Sequence, residues 1–433
     1  MKTLNDNGFR AFAPMVLLAV FLFLTSCALP AFAGPMPMII LPRSGLTGAE
    51  VAVVVNENDP QSVDVGLYYM MKRSIPRENL VRVRFDPTAE VMDQAEFERV
   101  KAQVDAATPK GVQAFALTWT RPFRVGCMSV TTAFAFGYDQ GHCASGCVST
   151  MPSPYYNSDS RRPYDDHGMR PAMLIAGRDA GEARRLIDRG VASDGTWPQG
   201  TGYLVETSDA NRSVRAAKYG AILDHFDGAF RLEHVKADSL RGKQDVMFYF
   251  TGLAVVEGID SNRYLPGAVA DHLTSAGGVL AKSGPPTGPG TGQMSVLRWL
   301  EAGATGSFGA VVEPCNFPTK FPQPGLLMAR YLRGETLIEA YWKSVAMPGQ
   351  SVFVGEPLAN PFGGHRVKRE GQAVLVRAWA LPPGVYALLS SESLFGEMRR
   401  EATIMLQGRG VQEFRIERAD KPVYMIVPLA QVR

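Results

Sequence analysis

The feature that most constrains the fold is an alternation of short apolar, β-branched runs with longer segments of helical spacing, over residues 50–358. The run Glu50-Val-Ala-Val-Val-Val55 is typical of a buried strand, and the apolar residues after Pro60 recur every three or four positions. Strands that alternate with helices pair in parallel through right-handed crossovers. The pattern therefore predicts an open, doubly wound α/β sheet that is mostly parallel.

The same pattern places the individual elements. Strands are predicted at residues 50–55, 81–85, 112–119, 172–176, 202–206, 231–236, 245–250, 307–312 and 351–354. Helices are predicted at residues 60–73, 95–106, 180–189, 211–226, 294–301 and 324–345. A segment at 120–170, rich in Cys, Gly and Pro, interrupts the rhythm and is interpreted as an insertion in an α/β domain of residues 34–366.

Ligands of parallel α/β sheets bind at the carboxyl ends of the strands. The ends of four predicted strands lie near Asn56, Thr120, Thr251 and Glu313. If all strands point the same way, these four ends share one edge of the sheet. We therefore predict a strand-end cleft at that edge.

The alternation of strand-like and helix-like segments ends after Pro361. Five short apolar runs follow, separated by turns and without a helix between them, at residues 373–378, 384–390, 403–406, 412–417 and 423–428. Such spacing is typical of antiparallel strands. It predicts a small antiparallel β-sandwich domain over residues 367–433.

The N-terminus predicts export. An apolar run at residues 15–24 follows two basic residues and is too short to span a membrane, because a spanning helix needs about 20 apolar residues. Ala31-Phe32-Ala33 follows, with cleavage expected before Gly34, so residues 1–33 are interpreted as a signal peptide. The mature chain is expected to be periplasmic or secreted, without a transmembrane segment. A lipobox-like sequence ending at Cys27 leaves lipid anchoring as the alternative.

The charge balance argues against a polyanionic partner. The chain carries 45 Lys and Arg against 42 Asp and Glu, a formal net charge of +3. A nucleic-acid-binding surface normally needs a marked basic excess. We therefore expect no nucleic-acid partner, and the motifs of the sequence lead us to expect no cofactor.

The four cysteines of the mature chain predict disulfides, because an even number in an oxidising compartment favours pairing. Cys127 and Cys315 each follow a predicted strand, and parallel strand ends meet at one edge. We therefore predict the pairs Cys127–Cys315 and Cys143–Cys147. A zinc half-site that combines His142 with Cys143 and Cys147 is disfavoured, because a structural zinc needs four nitrogen or sulfur ligands, and no metal is expected.

Several segments of the chain occur in a recognisable order. They are Asn56-Glu-Asn-Asp-Pro60, Phe248-Tyr-Phe-Thr-Gly252, His272-Leu-Thr-Ser-Ala-Gly-Gly278, Leu300-Glu-Ala-Gly-Ala-Thr-Gly-Ser-Phe-Gly309 and Val354-Gly-Glu-Pro-Leu358. In this order they resemble an uncharacterised family of exported bacterial proteins. The resemblance covers nearly all of the mature chain and implies no particular activity.

The order of elements is more distantly similar to the gingipain and caspase-type thiol peptidases. In that fold a His-Gly pair follows one strand, the catalytic Cys follows the next, and a Gly-Asp-Pro-like segment precedes an immunoglobulin-like module. The resemblance places the closing segment at Gly355-Glu356-Pro357 and the module at residues 367–433. Where the catalytic pair is expected, this chain has Thr251-Gly252 and Thr274-Ser275. The resemblance therefore implies that the thiol dyad is missing.

The first functional hypothesis is an exported envelope protein without catalytic activity. Its degenerate thiol-peptidase-like domain would bind a peptide, a glycan or a protein partner. The strand-end cleft for that partner would be lined by Thr251, Gly252 and Thr274.

The alternative hypothesis is a hydrolase. Its nucleophile would be Cys315, which lies two residues after Glu313, or else Ser275. Either group needs a base to be activated, so the hypothesis also requires His272 or a more distant His. For Cys315, the disulfide is the favoured interpretation.

Overall fold

A ten-stranded sheet organises most of the chain in the computed structural model, which describes residues 35–144, 146–280, 292–408 and 410–431. The strands are β1 (Met38–Ile40), β2 (Val51–Asn56), β3 (Leu80–Val83), β4 (Val91–Met92), β5 (Ala114–Leu117), β6 (Arg124–Val125), β7 (Met128–Ser129), β8 (Ala172–Leu174), β9 (Thr201–Glu206), β10 (Leu232–Lys236), β11 (Val246–Thr251), β12 (Tyr264–His272), β13 (Gly306–Ala310), β14 (Ser351–Gly355), β15 (Arg366–Glu370), β16 (Ala373–Ala378), β17 (Gly384–Ser391), β18 (Arg399–Leu406), β19 (Gln412–Ile416) and β20 (Val423–Pro428). The α-helices are α1 (Pro60–Arg73), α2 (Gln94–Ala107), α3 (Val130–Phe136), α4 (Pro163–His167), α5 (Ala180–Ser193), α6 (Tyr219–Phe226), α7 (Leu297–Ala302), α8 (Pro324–Leu332) and α9 (Leu337–Ser344).

The large sheet consists of two parallel arrays on either side of β14. Its strand order is β10-β9-β11-β12-β13-β14-β8-β5-β2-β3, and β14 runs antiparallel to β13. We call β8, β5, β2 and β3 the first array, and β10, β9, β11, β12 and β13 the second array. Gly306 pairs with Gly355 and Ala310 with Ser351 in the antiparallel pair. The predicted mixed α/β fold with a mostly parallel sheet is thus confirmed.

The four predicted strand ends lie on the same side of the sheet. Asn56 and Thr120 lie at or beyond the carboxyl ends of first-array strands, whereas Thr251 and Glu313 lie at or beyond those of the second array. Both arrays begin at one side of the sheet, because Asp194 at the end of α5 pairs with Arg73 near the start of β2, and Gly267 of β12 lies against Ser193. Both therefore end at the other side. We call the carboxyl ends of the first array the first edge, and those of the second array the second edge; they are two stretches of that side.

The reversal of β14 has its origin in a helical hairpin. One long helix was expected at residues 324–345, but the structure has α8 and α9, with Gly334 between them at φ +75°. Thr336 then caps α9 in a capping box with Glu339. The backbone N–H of Gln323, next to the start of α8, bonds to the carbonyl of Ser344 at the end of α9. Two antiparallel helices return the chain to the edge that it left, so β14 runs antiparallel to β13.

Helices cover both faces of the large sheet. A side chain at Gly306 would meet Leu337 of α9, whereas one at Gly309 would meet Val296 beside α7. Residues three apart on a strand point to opposite faces, so α9 and α7 lie on different sides. The arrangement confirms helix packing on two faces, as the alternating pattern predicts.

The C-terminal region forms two smaller sheets. Their strand orders are β1-β20-β17-β18 and β15-β16-β19, and their pairs are antiparallel except β1–β20. Buried residues of both sheets, such as Val374, Phe414 and Tyr424, form a second apolar cluster. The strand β1 was not predicted. By its contacts the chain from Met36 to Arg433 forms one unit.

The Cys-rich insertion is ordered by local structure. It contains α3, α4 and the strands β6 and β7, and β6 lies between β4 and β7 in a third small sheet. Within the described ranges, no helix has the length and apolar character needed to cross a membrane. The predicted cleavage site at Ala33 and Gly34 and the lipobox alternative at Cys27 lie outside the described residues.

Candidate functional site

The second edge brings most of the predicted cleft residues together. Thr251 ends β11 and pairs in register with His272 at the end of β12, and Gly252, Thr274 and Ser275 follow directly. The residues that the sequence predicted for the cleft are therefore neighbours in the structure. Their chemistry depends on the bonds that each side chain makes.

His272 is held by both of its ring nitrogens. The indole N–H of Trp299 donates to Nδ1 at 2.9 Å, so Nδ1 is the unprotonated nitrogen. Nε2 then carries the hydrogen and donates to the carbonyl of Met294 at 3.0 Å. Burial lowers the pKa of His272 to about 4. The imidazole is neutral at physiological pH and has no free nitrogen with which to accept a proton, so this arrangement does not provide a general base.

Thr274 belongs to a network that closes the space above the strand ends. Its hydroxyl donates to Oε1 of Gln293 at 2.6 Å and accepts from Nε of Arg212 at 3.2 Å. Arg212 also pairs with Asp209 at 2.6 Å. A β-carbon at Gly252 would lie 1.9 Å from the carbonyl oxygen of Arg212, so only glycine fits beneath this loop. Arg212 and Asp209 could not be found from the sequence, because they lie about forty residues before the end of β11 and in no motif.

A buried ion pair lies on the other face of the same strand ends. Asp271 and Arg215 are buried and their charged groups are 2.7 Å apart. Arg215 also donates to the carbonyls of Thr251 and Pro322, at 2.5 and 3.2 Å. Burial raises the pKa of the Asp271 carboxyl, and the guanidinium of Arg215 opposes that rise. This pair joins two strand ends to the segment before α8.

Cys315 carries no free thiol in this structure. Its sulfur is bonded to Cys147, and Cys127 is bonded to Cys143. The predicted pairing of Cys127 with Cys315 and of Cys143 with Cys147 is therefore wrong. It placed Cys127 at the end of β5, whereas Cys127 lies in the turn between β6 and β7, next to Cys143.

Two other predicted features surround Cys315. Glu313 is exposed, and its Oε1 accepts a hydrogen bond from the backbone N–H of Cys315 at 2.8 Å. The zinc alternative required free thiols at Cys143 and Cys147, which lie in two different disulfides. His142 stacks on Phe136 instead, with ring centroids 4.8 Å apart. In the described part of the chain, no group of three His, Cys, Asp or Glu has a geometry that holds a metal.

Thr251 and Ser275 differ in their environments. Thr251 is buried, and within the described residues its hydroxyl has no hydrogen-bond partner. Ser275 is half-buried just beyond the end of β12. Because His272 beside them donates and accepts elsewhere, neither hydroxyl has an imidazole that would activate it.

The first edge contains a cavity that the sequence did not predict. It encloses about 260 Å³ between α5, α7 and the loop after β8. We call it the arginine pocket; its walls are Ala176, Gly177, Arg178, Glu182, Arg185, Arg189, Leu297, Leu300 and Glu301. The signal available in the sequence was the spacing of Arg185 and Arg189, which places two cations on one side of a helix.

No protein-family model, curated protein or solved structure matches this chain. The resemblance to the thiol-peptidase fold thus has no relative that supports it. The chemistry of both edges rests on the geometry of their own side chains.

Proposed function

We propose that the protein is an exported binding protein whose α/β domain is a degenerate relative of the thiol peptidases. It binds a peptide, a glycan or a protein partner of the cell envelope rather than cleaving a substrate. The observation that carries the proposal is the engagement of both groups that a thiol dyad would need. His272 uses both ring nitrogens for hydrogen bonds, and the sulfur of Cys315 lies in a disulfide.

The arrangement of the second array supports the kinship with the thiol peptidases. β11, β12 and β13 lie side by side in parallel, so Thr251-Gly252 and Thr274-Ser275 follow adjacent strands. That is the relative position that the fold gives to its His-Gly pair and its Cys. The two small C-terminal sheets, with their common apolar cluster, are the part that we assign to an immunoglobulin-like sandwich.

Two features support export. The structure holds two disulfides, and disulfides persist in oxidising compartments. The apolar N-terminal run followed by Ala31-Phe32-Ala33 has the order of a signal peptide. A periplasmic or secreted location is accordingly part of the proposal.

The first test counts free thiols in the exported protein. Protein purified without reductant is denatured, treated with iodoacetamide and examined by peptide mass spectrometry. We expect no label on Cys127, Cys143, Cys147 or Cys315, because all four form disulfides. A labelled Cys315 in most molecules would contradict the proposal.

The second test addresses turnover. The wild type, Ser275→Ala and Cys315→Ser are incubated with a mixture of fluorogenic peptide and ester substrates. We expect background rates for all three proteins. A wild-type rate that either substitution abolishes would overturn the proposal in favour of the hydrolase.

A further inference from the structure

The basic residues of α5 differ in how their charge is balanced. Arg184 forms an ion pair with Asp64, and Arg178, just before the helix, pairs with Glu182 and Glu301. Arg185 and Arg189 pair with no carboxylate among the residues described, and both line the arginine pocket. The pocket therefore holds two cations that the protein itself does not neutralise.

The position of these two arginines is electrostatically unfavourable. They are one helical turn apart, where like charges repel. Burial and the charge of Arg185 lower the pKa of Arg189 to about 10. Nη2 of Arg189 donates to the carbonyls of Leu300 and Ala304, at 3.0 and 2.7 Å, but its Nε is buried without a partner in the described part of the chain. A buried donor without an acceptor costs about 1–3 kcal/mol.

The shape of the pocket determines what can supply the missing acceptor. Its volume of about 260 Å³ exceeds that of a water molecule several times over. Leu297 and Leu300 form an apolar wall, so an anion bound there is partly removed from water. The N-terminal turn of α5 is already capped by Asp179, so the arginine side chains are the donors that face the cavity. Guanidinium groups bind phosphate and sulfate oxygens with paired hydrogen bonds.

We propose that the arginine pocket binds a tetrahedral oxyanion, the phosphate or sulfate group of a small ligand, between Arg185 and Arg189. The anion neutralises both guanidinium groups and accepts the hydrogen bond that Nε of Arg189 does not otherwise make. Arg178 stays paired with its carboxylates and shapes one side of the pocket. The site is at the first edge, and it does not depend on the state of His272 or Cys315.

Calorimetric titration of the exported protein tests the proposal. The titrants are inorganic phosphate, glycerol phosphate, inorganic sulfate and acetate, in a chloride buffer of constant ionic strength. We expect phosphate or sulfate to bind and acetate to bind at least about tenfold more weakly, since a planar carboxylate offers fewer oxygens to two guanidinium groups. The preferred titrant identifies the source as a free anion or an ester. Binding of none of them, or equal binding of acetate, would refute the proposal.

Substitutions assign the binding to this pocket. Arg185→Gln is expected to weaken phosphate or sulfate binding by about tenfold or more, because it removes a charge-assisted contact. Arg184→Gln, one residue away on the same helix but paired outside the pocket, serves as the matched control and should bind like the wild type. Arg189 is avoided because it also holds the end of α7. Wild-type binding by Arg185→Gln would refute the assignment.

Chemical modification gives an independent readout on the unsubstituted protein. Phenylglyoxal reacts with exposed guanidinium groups, and both Arg184 and Arg185 are exposed. We expect the bound anion to slow modification of Arg185 severalfold and to leave Arg184 unchanged. Equal rates at Arg185 with and without the anion would contradict the proposal.

Discussion

Two arginines beside different arrays of the large sheet are balanced in different ways. Arg215, at the second edge, is fully enclosed and has a carboxylate at 2.7 Å in Asp271. Arg189, toward the first edge, is partly buried and has only backbone carbonyls as acceptors. Both hold chain segments together. Only Arg215 has its charge neutralised within the protein.

The same contrast extends to the neighbours of each arginine. At the second edge, His272 and Thr274 have hydrogen-bond partners, and Cys315 is in a disulfide. At the first edge, Arg185 lines a cavity and pairs with no carboxylate among the described residues, since Glu182 and Glu301 pair with Arg178. Groups whose bonds are complete stabilise the fold, whereas buried polar groups whose bonds are incomplete are candidates for binding a ligand. Of the residues that look catalytic in the sequence, His272 and Cys315 are of the first kind.

The largest effect is expected from breaking the buried ion pair of Arg215 and Asp271. Arg215→Gln leaves Asp271 buried without its counter-charge, and removal of one partner of a buried ion pair costs about 3–5 kcal/mol. We expect a loss of that size in the free energy of unfolding, measured by urea denaturation at pH 7. Arg184→Gln, which breaks an exposed pair, is the control and should cost no more than about 1 kcal/mol. Equal losses in the two variants would show that the buried pair of Arg215 stabilises the protein no more than the exposed pair of Arg184 does.

The next largest effect concerns the proton of His272. The folded pKa is lowered to about 4, whereas an exposed His titrates near pH 6.5, so the unfolded chain binds the proton first as the pH falls. The contribution of His272 to stability is therefore complete above pH 6.5 and is lost as the pH falls toward 4. By proton linkage, the loss is about 2 kcal/mol at pH 5.

Urea denaturation of the wild type and His272→Gln at pH 7.5 and pH 5 isolates this contribution. The substituted protein cannot titrate at this position, so its stability should fall less between the two pH values, by about 2 kcal/mol. Other ionisable groups change both proteins equally. If the two proteins lost the same stability, the imidazole would be charged or exposed in the folded state.

The sequence predicted the elements of the fold better than their directions. Most strands lie within a few residues of their predicted positions, because apolar runs of strand length report burial directly. The reversal at β13 and β14 depends on whether residues 324–345 form one helix or two. A signal for two helices was present, since Gly334 precedes Thr336 and Glu339, which have the spacing of a capping box. The disulfide pairing depends instead on the turn between β6 and β7, which places Cys127 next to Cys143.

The candidate site was predictable only in part for the same reason. Residues that follow adjacent parallel strands, such as Thr251 and Thr274, meet because the register of those strands brings them together. Whether a histidine is free depends on partners such as Trp299, which lies 27 residues away in sequence. Arg185 and Arg189 are visible in the sequence, but the missing carboxylate is a property of the surrounding fold.

The smallest effect distinguishes the two edges most sharply. Without an anion, Arg185→Gln removes a repulsion between residues one turn apart and should leave the protein equally stable or about 0.2–0.5 kcal/mol more stable. Phosphate should then stabilise the wild type in proportion to its binding and leave the variant unchanged. The order of the two melting temperatures is expected to reverse when phosphate is added at saturating concentration. A variant that is less stable than the wild type without any anion would mean that Arg185 supports the fold, as Arg215 does, and the contrast between the edges would disappear.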